Sequence, residues 1–279
     1  MEQKFFWGAA TSAHQVEGDN RNDWTEWEKS ESRIKNLESR KKDPNLKKLF
    51  LPHIFEEWPS PTDIENYISG KACDHYNRFR DDFDIAKSLG HNAHRFSIEW
   101  SRIEPEEGKF NEKEIEHYRE VIKTLRERRL EPFATLWHWS LPLWLKNKGG
   151  VLNKDFPGYF SKYTEKIVPA LNGVRFWMTI NEPEIYALNS YFRGLWPPQG
   201  RNIFLFYRCI AQLIRGHQMA YAAIKKINPE ACVGVAVNLS YFDSAGGIIN
   251  TIMKWCADRI WNFHFLDRIC RTFDFVGLN

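Results

Sequence analysis

The sequence has no long apolar run and no strong excess of charge of either sign. None of its 279 residues belongs to a stretch that approaches the roughly 20 apolar residues needed to span a bilayer. The formal net charge is only +3, which gives no reason to expect an anionic partner. We therefore expect neither a membrane nor a nucleic acid as a partner.

Cysteine is scarce and follows no recognisable spacing. The five cysteines are Cys73, Cys209, Cys232, Cys256 and Cys270. Their number is odd and no pair has CxxC spacing, so neither a disulfide framework nor a zinc site is indicated. Most have apolar neighbours, as buried thiols in a reducing compartment do. The apolar run near the N-terminus is too short for a signal peptide. We predict a cytoplasmic protein, with no metal and no cofactor.

The sequence also lacks a Gly-x-Gly-x-x-Gly turn after its first apolar run, which counts against dinucleotide binding. Instead, short apolar runs recur along the whole chain. Each has the length of a strand and is rich in Val, Ile, Phe or Trp without strict alternation, which is typical of strands buried on both faces. The six runs are Phe5 to Ala10, Asn92 to Ile98, Pro132 to His138, Phe176 to Ile180, Cys232 to Leu239 and Phe273 to Asn279.

Helical patterns separate these predicted strands. One apolar face runs from Tyr76 to Leu89, and Gly90 follows as a C-cap. Asn111 and Glu114 have the spacing of a capping box. A long segment from Ile203 to Ile227 stops just before a proline. Alternation of strand and helix predicts a parallel sheet, either a (β/α)8 barrel or an open doubly wound sheet.

Useful polar and aromatic residues follow the predicted strands, where barrels place their active sites. They are Gln15, Trp100, His138 and the pair Asn181 and Glu182. Six strands use up the chain, at about 46 residues each, whereas a barrel needs eight. We therefore predict a single incomplete domain over residues 1–279. It is a (β/α)8 TIM barrel of which about the first six βα units are present, and it ends on strand 6.

A basic insertion, residues 29–61, lies in the first βα loop of this predicted barrel. From Lys29 to Lys48 there are eight Lys or Arg against three Asp or Glu. Ile34, Leu37 and Leu46 indicate a short amphipathic helix within it. We interpret the segment as a solvated loop or helix rather than as a binding patch.

The strongest chemical signal is the segment from Met178 to Pro183, which reads MTINEP. An apolar strand ends in Asn181 and Glu182, and Pro183 stops the ladder. A carboxyl group held at a strand end beside an amide suits a general acid/base. The alternative is a glutamate that caps the next helix.

Two further residues are unusual for buried strands. His138 lies between two tryptophans at the end of the third strand, either in a site or as a core histidine with satisfied nitrogens. Arg95 would be a costly charge inside a strand unless it pairs with a carboxylate, so we predict an acidic partner. Glu99 is near in sequence, and a carboxylate of the site is the other candidate. Most of the twelve tryptophans are expected in the core, although such rings also stack on sugars.

Taken together, these motifs resemble glycoside hydrolase family 1, the β-glucosidases and related β-glycosidases. The matching pieces occur in family order over essentially the whole chain. They are Phe6 to Gly18 (FWGAATSAHQVEG), Arg95 to Ile103 (RFSIEWSRI), His138 to Pro142 (HWSLP), Thr179 to Pro183 (TINEP) and Asp274 to Asn279 (DFVGLN).

The resemblance implies a (β/α)8 barrel that hydrolyses β-glycosides with retention. It makes Glu182 the general acid/base. It also implies that Asn181 bonds the 2-hydroxyl of the sugar, a contact that strengthens in the transition state. The expected partner is therefore a β-glycoside or an oligosaccharide.

The remaining roles implied by the resemblance concern the sugar and the nucleophile. Gln15 and His138 should hold hydroxyls on the far side of the ring, with Trp139 beside them. Asn279 should belong to the sugar-binding shell. Arg95 should lie under the nucleophile and hold its charge.

The sequence departs from the family pattern in one important respect. The nucleophile of the family is a glutamate in a Thr-Glu-Asn-Gly-like motif on the seventh strand, and this chain contains no such motif. Retaining chemistry needs two carboxyl groups about 5–5.5 Å apart. Only the donor is present, so we expect the 279-residue chain alone to be inactive.

Several alternatives to an active hydrolase stay open. The chain could be a non-catalytic sugar-binding protein or truncated pseudoenzyme, or a split enzyme completed by a C-terminal fragment. It could also be a phospho-β-glycosidase. The unpaired edge strands of an open barrel favour association, so a homo-oligomer is possible. Nothing in the chain distinguishes glucose, galactose, mannose and fucose as the sugar.

Overall fold

The computed structural model describes residues 5–41 and 63–279. Six strands form one parallel sheet, and every strand pairs with its neighbour in the chain, in the order β1 to β6. The strands are β1 (Gly8–Ala10), β2 (Ala93–Ser97), β3 (Glu131–Trp137), β4 (Phe176–Asn181), β5 (Cys232–Val237) and β6 (Phe275–Leu278). All six predicted strands are present, although β1 is shorter than the predicted run. The sheet is a partial (β/α)8 barrel, as the sequence predicted.

Helices precede or connect these strands, and short 3-10 or π segments extend three of them. The α-helices are α1 (Ala13–Val16), α2 (Asp23–Glu28), α3 (Glu31–Lys41), α4 (His75–Ser88), α5 (Trp100–Ile103), α6 (Glu112–Glu127), α7 (Leu143–Asn147), α8 (Phe156–Ala170), α9 (Pro183–Ala187), α10 (Ile203–Ile227), α11 (Ile248–Asp258) and α12 (His264–Ile269). A 3-10 turn covers Gly150–Leu152, and π-helical turns cover Leu188–Phe192 and Arg259–Phe263.

The core lies between the middle strands and the helices outside them. Trp137 on β3 and Trp177 and Ile180 on β4 are fully buried. Helices α8 and α10 pack closely because Gly216 has no side chain. A Cβ there would lie only 3.2 Å from the Phe156 ring. This packing fixes the outer layer of the barrel and so the position of the strand ends.

Some helix signals were predicted correctly and others were not. Helix α10 covers the predicted segment, and the side chain of Asn202 caps its start. The predicted capping box at α6 is only half formed. Asn111 accepts from the Lys113 amide, whereas Glu114 accepts from the Tyr76 hydroxyl at 3.1 Å. Leu89, expected on the buried face of α4, is exposed.

The segment that the sequence predicts as a basic insertion lies in the chain between β1 and β2. Its first part forms α3, which contains Ile34 and Leu37 of the predicted amphipathic helix. Residues 42–62 lie outside the described part of the chain, so the rest of that prediction is untested. Within residues 5–41 and 63–279, no helix is long and apolar enough to cross a membrane.

The two outer strands of the sheet differ from the inner ones. All three residues of β1 are exposed, and in β6 three are half-buried and one is exposed. In β4 and β5, by contrast, every residue but the first is buried. The carboxyl ends of all six strands meet at one face, which is where the candidate site residues lie.

Candidate active site

Glu182 directly follows the last residue of β4. Its backbone has a conformation that few residues other than glycine adopt. Its φ angle is +41°, in the left-handed region that is costly for a residue with a Cβ. Its amide donates to the Ala236 carbonyl on β5 at 2.7 Å. The side chain makes no capping bond to α9, so it does not act as the helix cap that the sequence left open. Instead, its Oε1 accepts a hydrogen bond from Asn279 Nδ2 at 2.9 Å.

Asn181 connects Arg95 and Asn279, two of the predicted site residues, to His138. Its Oδ1 accepts from the Arg95 guanidinium and from Asn279 Nδ2. Its Nδ2 faces His138 Nε2 at 3.2 Å. Because an amide nitrogen can only donate, His138 accepts through Nε2 and carries its proton on Nδ1. Burial lowers the pKa of His138 to about 3, which agrees with a neutral ring. Its Nδ1 is buried without a partner among the described residues.

Arg95 lacks the direct acidic partner that the sequence predicted. Within the described residues it forms no ion pair. Its guanidinium donates to Thr135 Oγ1 at 2.9 Å and to Asn279 Oδ1 at 3.3 Å, besides Asn181. Burial lowers its pKa to about 10, and the charge of Glu182 partly opposes that shift. Neutral oxygens therefore bind the Arg95 guanidinium, and the Glu182 carboxylate acts on it only at longer range.

The sequence candidate Glu99 is not the partner of Arg95. Its Oε1 accepts from Asn22 and Ser101, and its Oε2 accepts from Ser140. Trp100, which the sequence also placed at a strand end, lies outside the site. Trp100 is buried in the core, where it stacks on Tyr163 with ring centroids 4.7 Å apart.

A cavity of about 390 Å³ opens beside this network. Gln15, His138 and Trp139 all line it. A hydrogen bond fixes the Trp139 ring, since its Nε1 donates to the Asn181 carbonyl at 2.9 Å. Asn181, Glu182 and Asn279 are not in the lining. Of these three, Asn181 contacts a lining residue, through its hydrogen bond to His138.

Sequence reasoning missed several residues that line this cavity. Trp24 and Trp196 complete an aromatic wall with Trp139, with ring centroids 4.6–6.3 Å apart. The lining also holds a buried pair, His14 Nε2 to Glu28 Oε1 at 2.8 Å. Although burial opposes it, the hydrogen bond to Glu28 raises the pKa of His14. The sequence signal that could have identified Trp24 is the run DWTEWE, in which two tryptophans recur at helical spacing in α2.

The chain is similar to known proteins over most of its length. The sequence model of glycosyl hydrolase family 1 matches residues 1–274. The chain belongs to that family. It is 32% identical to β-glucosidase A of Thermotoga maritima over 244 residues, and 34% identical to β-glucosidase A of Acetivibrio thermocellus over 241 residues. These matches cover 86% and 85% of this chain but only 49% and 48% of those relatives.

Solved structures of family 1 members extend the match to the whole chain. A β-glycosidase from Pyrococcus horikoshii superposes with a TM-score of 0.80 at 34% identity. It covers 100% of this chain and 62% of that one. A family 1 β-glucosidase from Thermotoga maritima gives a TM-score of 0.81 at 26% identity, with 65% of its chain covered. This family 1 chain thus spans about half the length of its curated relatives.

A second carboxyl group near Glu182 is deeply buried. Glu184 follows Glu182 by two residues and is only 3% exposed. Its Oε2 is buried without a partner among the described residues. Burial raises the pKa of Glu184 to about 8, and the charge of Glu182 adds to that shift. Glu184 is therefore protonated at neutral pH, which makes it unsuited to act as a carboxylate nucleophile. Within the described residues no cluster of His, Cys, Asp and Glu could hold a metal ion.

Proposed function

We propose that this chain carries the acid/base half of a retaining β-glucoside hydrolase, with Glu182 as the proton donor. One observation carries the proposal. Glu182 is held in a left-handed conformation at a strand end, free of any capping bond, with Asn279 fixing one carboxylate oxygen. A carboxyl group oriented in this way can protonate the oxygen of a leaving group.

The neighbouring side chains suit a sugar ring. Asn181 would bond the 2-hydroxyl, and Gln15 and His138 would hold hydroxyls further along the ring. Within the described residues, the Nδ1–H of His138 has no acceptor. Trp139 would pack against the ring. A carboxylate nucleophile about 5–5.5 Å from Glu182 would complete the double displacement, and in the family this comes from a later strand.

The relatives support a glucose-like ligand. Structures of the Thermotoga maritima β-glucosidase are described as complexes with glucoimidazole and with isofagomine lactam. We propose the same ligand class for this chain, at reduced affinity because part of the sugar-binding shell is not present in it. We also propose a cytoplasmic location, which the five free cysteines support.

Binding can be tested on the 279-residue chain itself by calorimetric titration with glucoimidazole. We expect weak saturable binding that Gln15→Ala weakens about tenfold, because a buried polar contact to the ligand is lost. Gln218→Ala serves as the matched control, since Gln218 bonds the Arg268 carbonyl away from the cavity. If both variants bind glucoimidazole with equal affinity, the cavity lined by Gln15, His138 and Trp139 is not the sugar site.

Catalysis can be tested in a chimera that joins this chain to the unmatched C-terminal part of the Thermotoga maritima relative. We expect release of nitrophenol from p-nitrophenyl β-glucoside. Glu182→Gln should reduce this rate by about 10²–10⁴-fold, while Glu184→Gln should stay within about tenfold. If Glu184→Gln were the inactive variant, Glu182 would not be the acid.

The isolated chain should show no such turnover, because it has no nucleophile on a seventh strand. We further propose that it acts together with a polypeptide that supplies the missing strands, in the same chain or in another. Nitrophenol release by the 279-residue protein that disappears in Glu182→Gln would overturn the requirement for that polypeptide.

A further inference from the structure

A buried carboxylate beside the cavity of about 390 Å³ takes no part in the proposed hydrolysis. Glu28, the last residue of α2, lines this cavity and is only 6% exposed. An ionised carboxylate is almost never buried so deeply without partners. Glu28 has partners in two separate segments of the chain, α1 and residues 67–69, and both segments also line the cavity.

The first oxygen of this carboxylate holds α1. Glu28 Oε1 lies 2.8 Å from His14 Nε2, and His14 Nδ1 lies 3.2 Å from Asn22 Nδ2. Because an amide nitrogen can only donate, His14 accepts through Nδ1 and donates its Nε2–H to Glu28. Gln15 follows His14 directly in α1, and its side chain is exposed. The fixed His14 ring therefore determines where Gln15 reaches into the cavity.

The second oxygen of the carboxylate holds a wall of the cavity. Tyr67, Ile68 and Ser69 line the cavity but belong to no helix or strand. Glu28 Oε2 accepts from the Ser69 amide at 3.0 Å and from the Ser69 hydroxyl at 2.8 Å. Hydrogen bonds to an ionised acceptor are among the stronger ones in proteins. Glu28 therefore anchors a segment that no regular secondary structure fixes.

We infer that Glu28 is a positioning residue for ligand binding, because one carboxylate fixes both Gln15, through His14, and the cavity wall, through Ser69. Both of its oxygens are occupied by protein donors, so it acts through these neighbours. Although burial opposes it, the hydrogen bonds from His14 and Ser69 lower the pKa of Glu28, as an ionised acceptor requires. A site held in its binding geometry in advance binds more tightly. The inference rests on the proposed function, since it takes this cavity as the sugar site.

The substitution Glu28→Gln keeps the size of the side chain and disturbs its hydrogen bonds. A glutamine offers one oxygen and one NH₂ group, so in either orientation a donor faces Ser69 or the His14 Nε2–H. Glu26→Gln is the matched control on the same helix, since Glu26 pairs with Lys146 and about half of each side chain is exposed. If Glu28→Gln does not fold, Ser69→Ala replaces it, because that change removes only one of the three donors.

Calorimetric titration with glucoimidazole, on the full 279-residue chain, gives the first readout. We expect Glu28→Gln to bind about fivefold more weakly than the parent, and Ser69→Ala about twofold, because the site must be ordered on binding. Glu26→Gln should bind as the parent does. In the Gln15→Ala background, Glu28→Gln should weaken binding by less than it does in the parent, because the two residues act together.

Amide hydrogen exchange gives a second readout that needs no ligand. The Ser69 amide should exchange about tenfold faster in Glu28→Gln than in Glu26→Gln, because its acceptor is disturbed. Equal exchange in these two variants, or fully additive effects of Glu28→Gln and Gln15→Ala on affinity, would overturn the inference.

The binding data also separate this inference from the proposed function. If Glu28→Gln binds as tightly as the parent while Gln15→Ala binds weakly, the inference is overturned and the sugar site stands. If the parent does not bind glucoimidazole at all, the proposed function fails and the inference fails with it.

Discussion

Glu182 owes its orientation to Asn279, a residue 97 positions away in the sequence. The sequence placed both side chains at strand ends, and the parallel sheet brings those ends to one face. The same holds for Arg95, whose three partners come from β3, β4 and the end of β6. The sequence could show that a buried cation needs partners. It could not show that two amides and a hydroxyl would supply them, because neutral oxygens give no distinctive pattern.

Replacing Arg95 should reveal how much this network stabilises the fold. Arg95→Lys keeps the charge but loses the fork that reaches Thr135 and Asn279 together, so buried acceptors are left unpaired. We expect a loss of about 1–3 kcal/mol in the free energy of unfolding, measured in urea. Arg80→Lys, at a half-exposed surface pair, should change it by less than about 0.5 kcal/mol. Equal effects would show that the Arg95 contacts contribute nothing.

Glu184 should make stability depend on pH. Its folded pKa of about 8 exceeds the ordinary value, so between about 4.5 and 8 the folded protein binds more protons than the unfolded chain. The free energy of unfolding should therefore fall as the pH rises through that window. Glu184→Gln removes this contribution. The difference in stability between variant and parent should then grow in favour of the variant from pH 5 to pH 8 in urea unfolding, and a constant difference would contradict the prediction.

At the scale of elements, the sequence predicted best where a local signal decides the outcome. Helix α10 matched its predicted bounds because Asn202 caps its start and Pro229 follows its end. The capping box at α6 is only half formed because Glu114 accepts from Tyr76, on α4. Glu114 could bond either the Asn111 backbone amide, as in a capping box, or a side chain of another helix. The packing of α4 against α6 decides in favour of Tyr76.

The contact between α8 and α10 gives a test with a built-in control. A Cβ at Gly216 would meet the Phe156 and Phe160 rings at 3.2 Å and 3.4 Å. We expect Gly216→Ala to lower the unfolding free energy by about 1–3 kcal/mol, because buried rings must shift. Gly158→Ala, where nothing lies within 4 Å, should raise it by up to about 1 kcal/mol. Thermal melting of both variants measures these changes. If Gly216→Ala were more stable than the parent, the contact between α8 and α10 would accommodate the added methyl group.

At the scale of the whole molecule, the open sheet leaves apolar surface uncovered. Phe5 and Trp7 beside β1 and Leu278 on β6 are exposed, and α11 has no buried residue. Ile249 and Met253, four residues apart on α11, are at least 60% exposed. Such surfaces and bare strand edges favour association.

We therefore expect the 279-residue chain to self-associate at micromolar concentration. Sedimentation velocity should detect species heavier than the monomer. The double variant Ile249→Lys and Met253→Lys should reduce their fraction by placing charge on the exposed face, whereas Lys113→Ala on the distant α6 should not. A monomeric parent protein with one cooperative melting transition would contradict this expectation.

The sequence by itself determined the alternation of strands and helices, the parallel sheet and the identity of the family. Those features follow from apolar periodicity, helix caps and contiguous motifs, which are local along the chain. Tertiary structure alone decided which side chains meet: Asn279 with Glu182, neutral oxygens around Arg95, and Trp24 and Trp196 beside Trp139. The reason is physical, since hydrogen bonds and ring contacts act over a few ångströms, and only the folded sheet brings residues so far apart in sequence within that range.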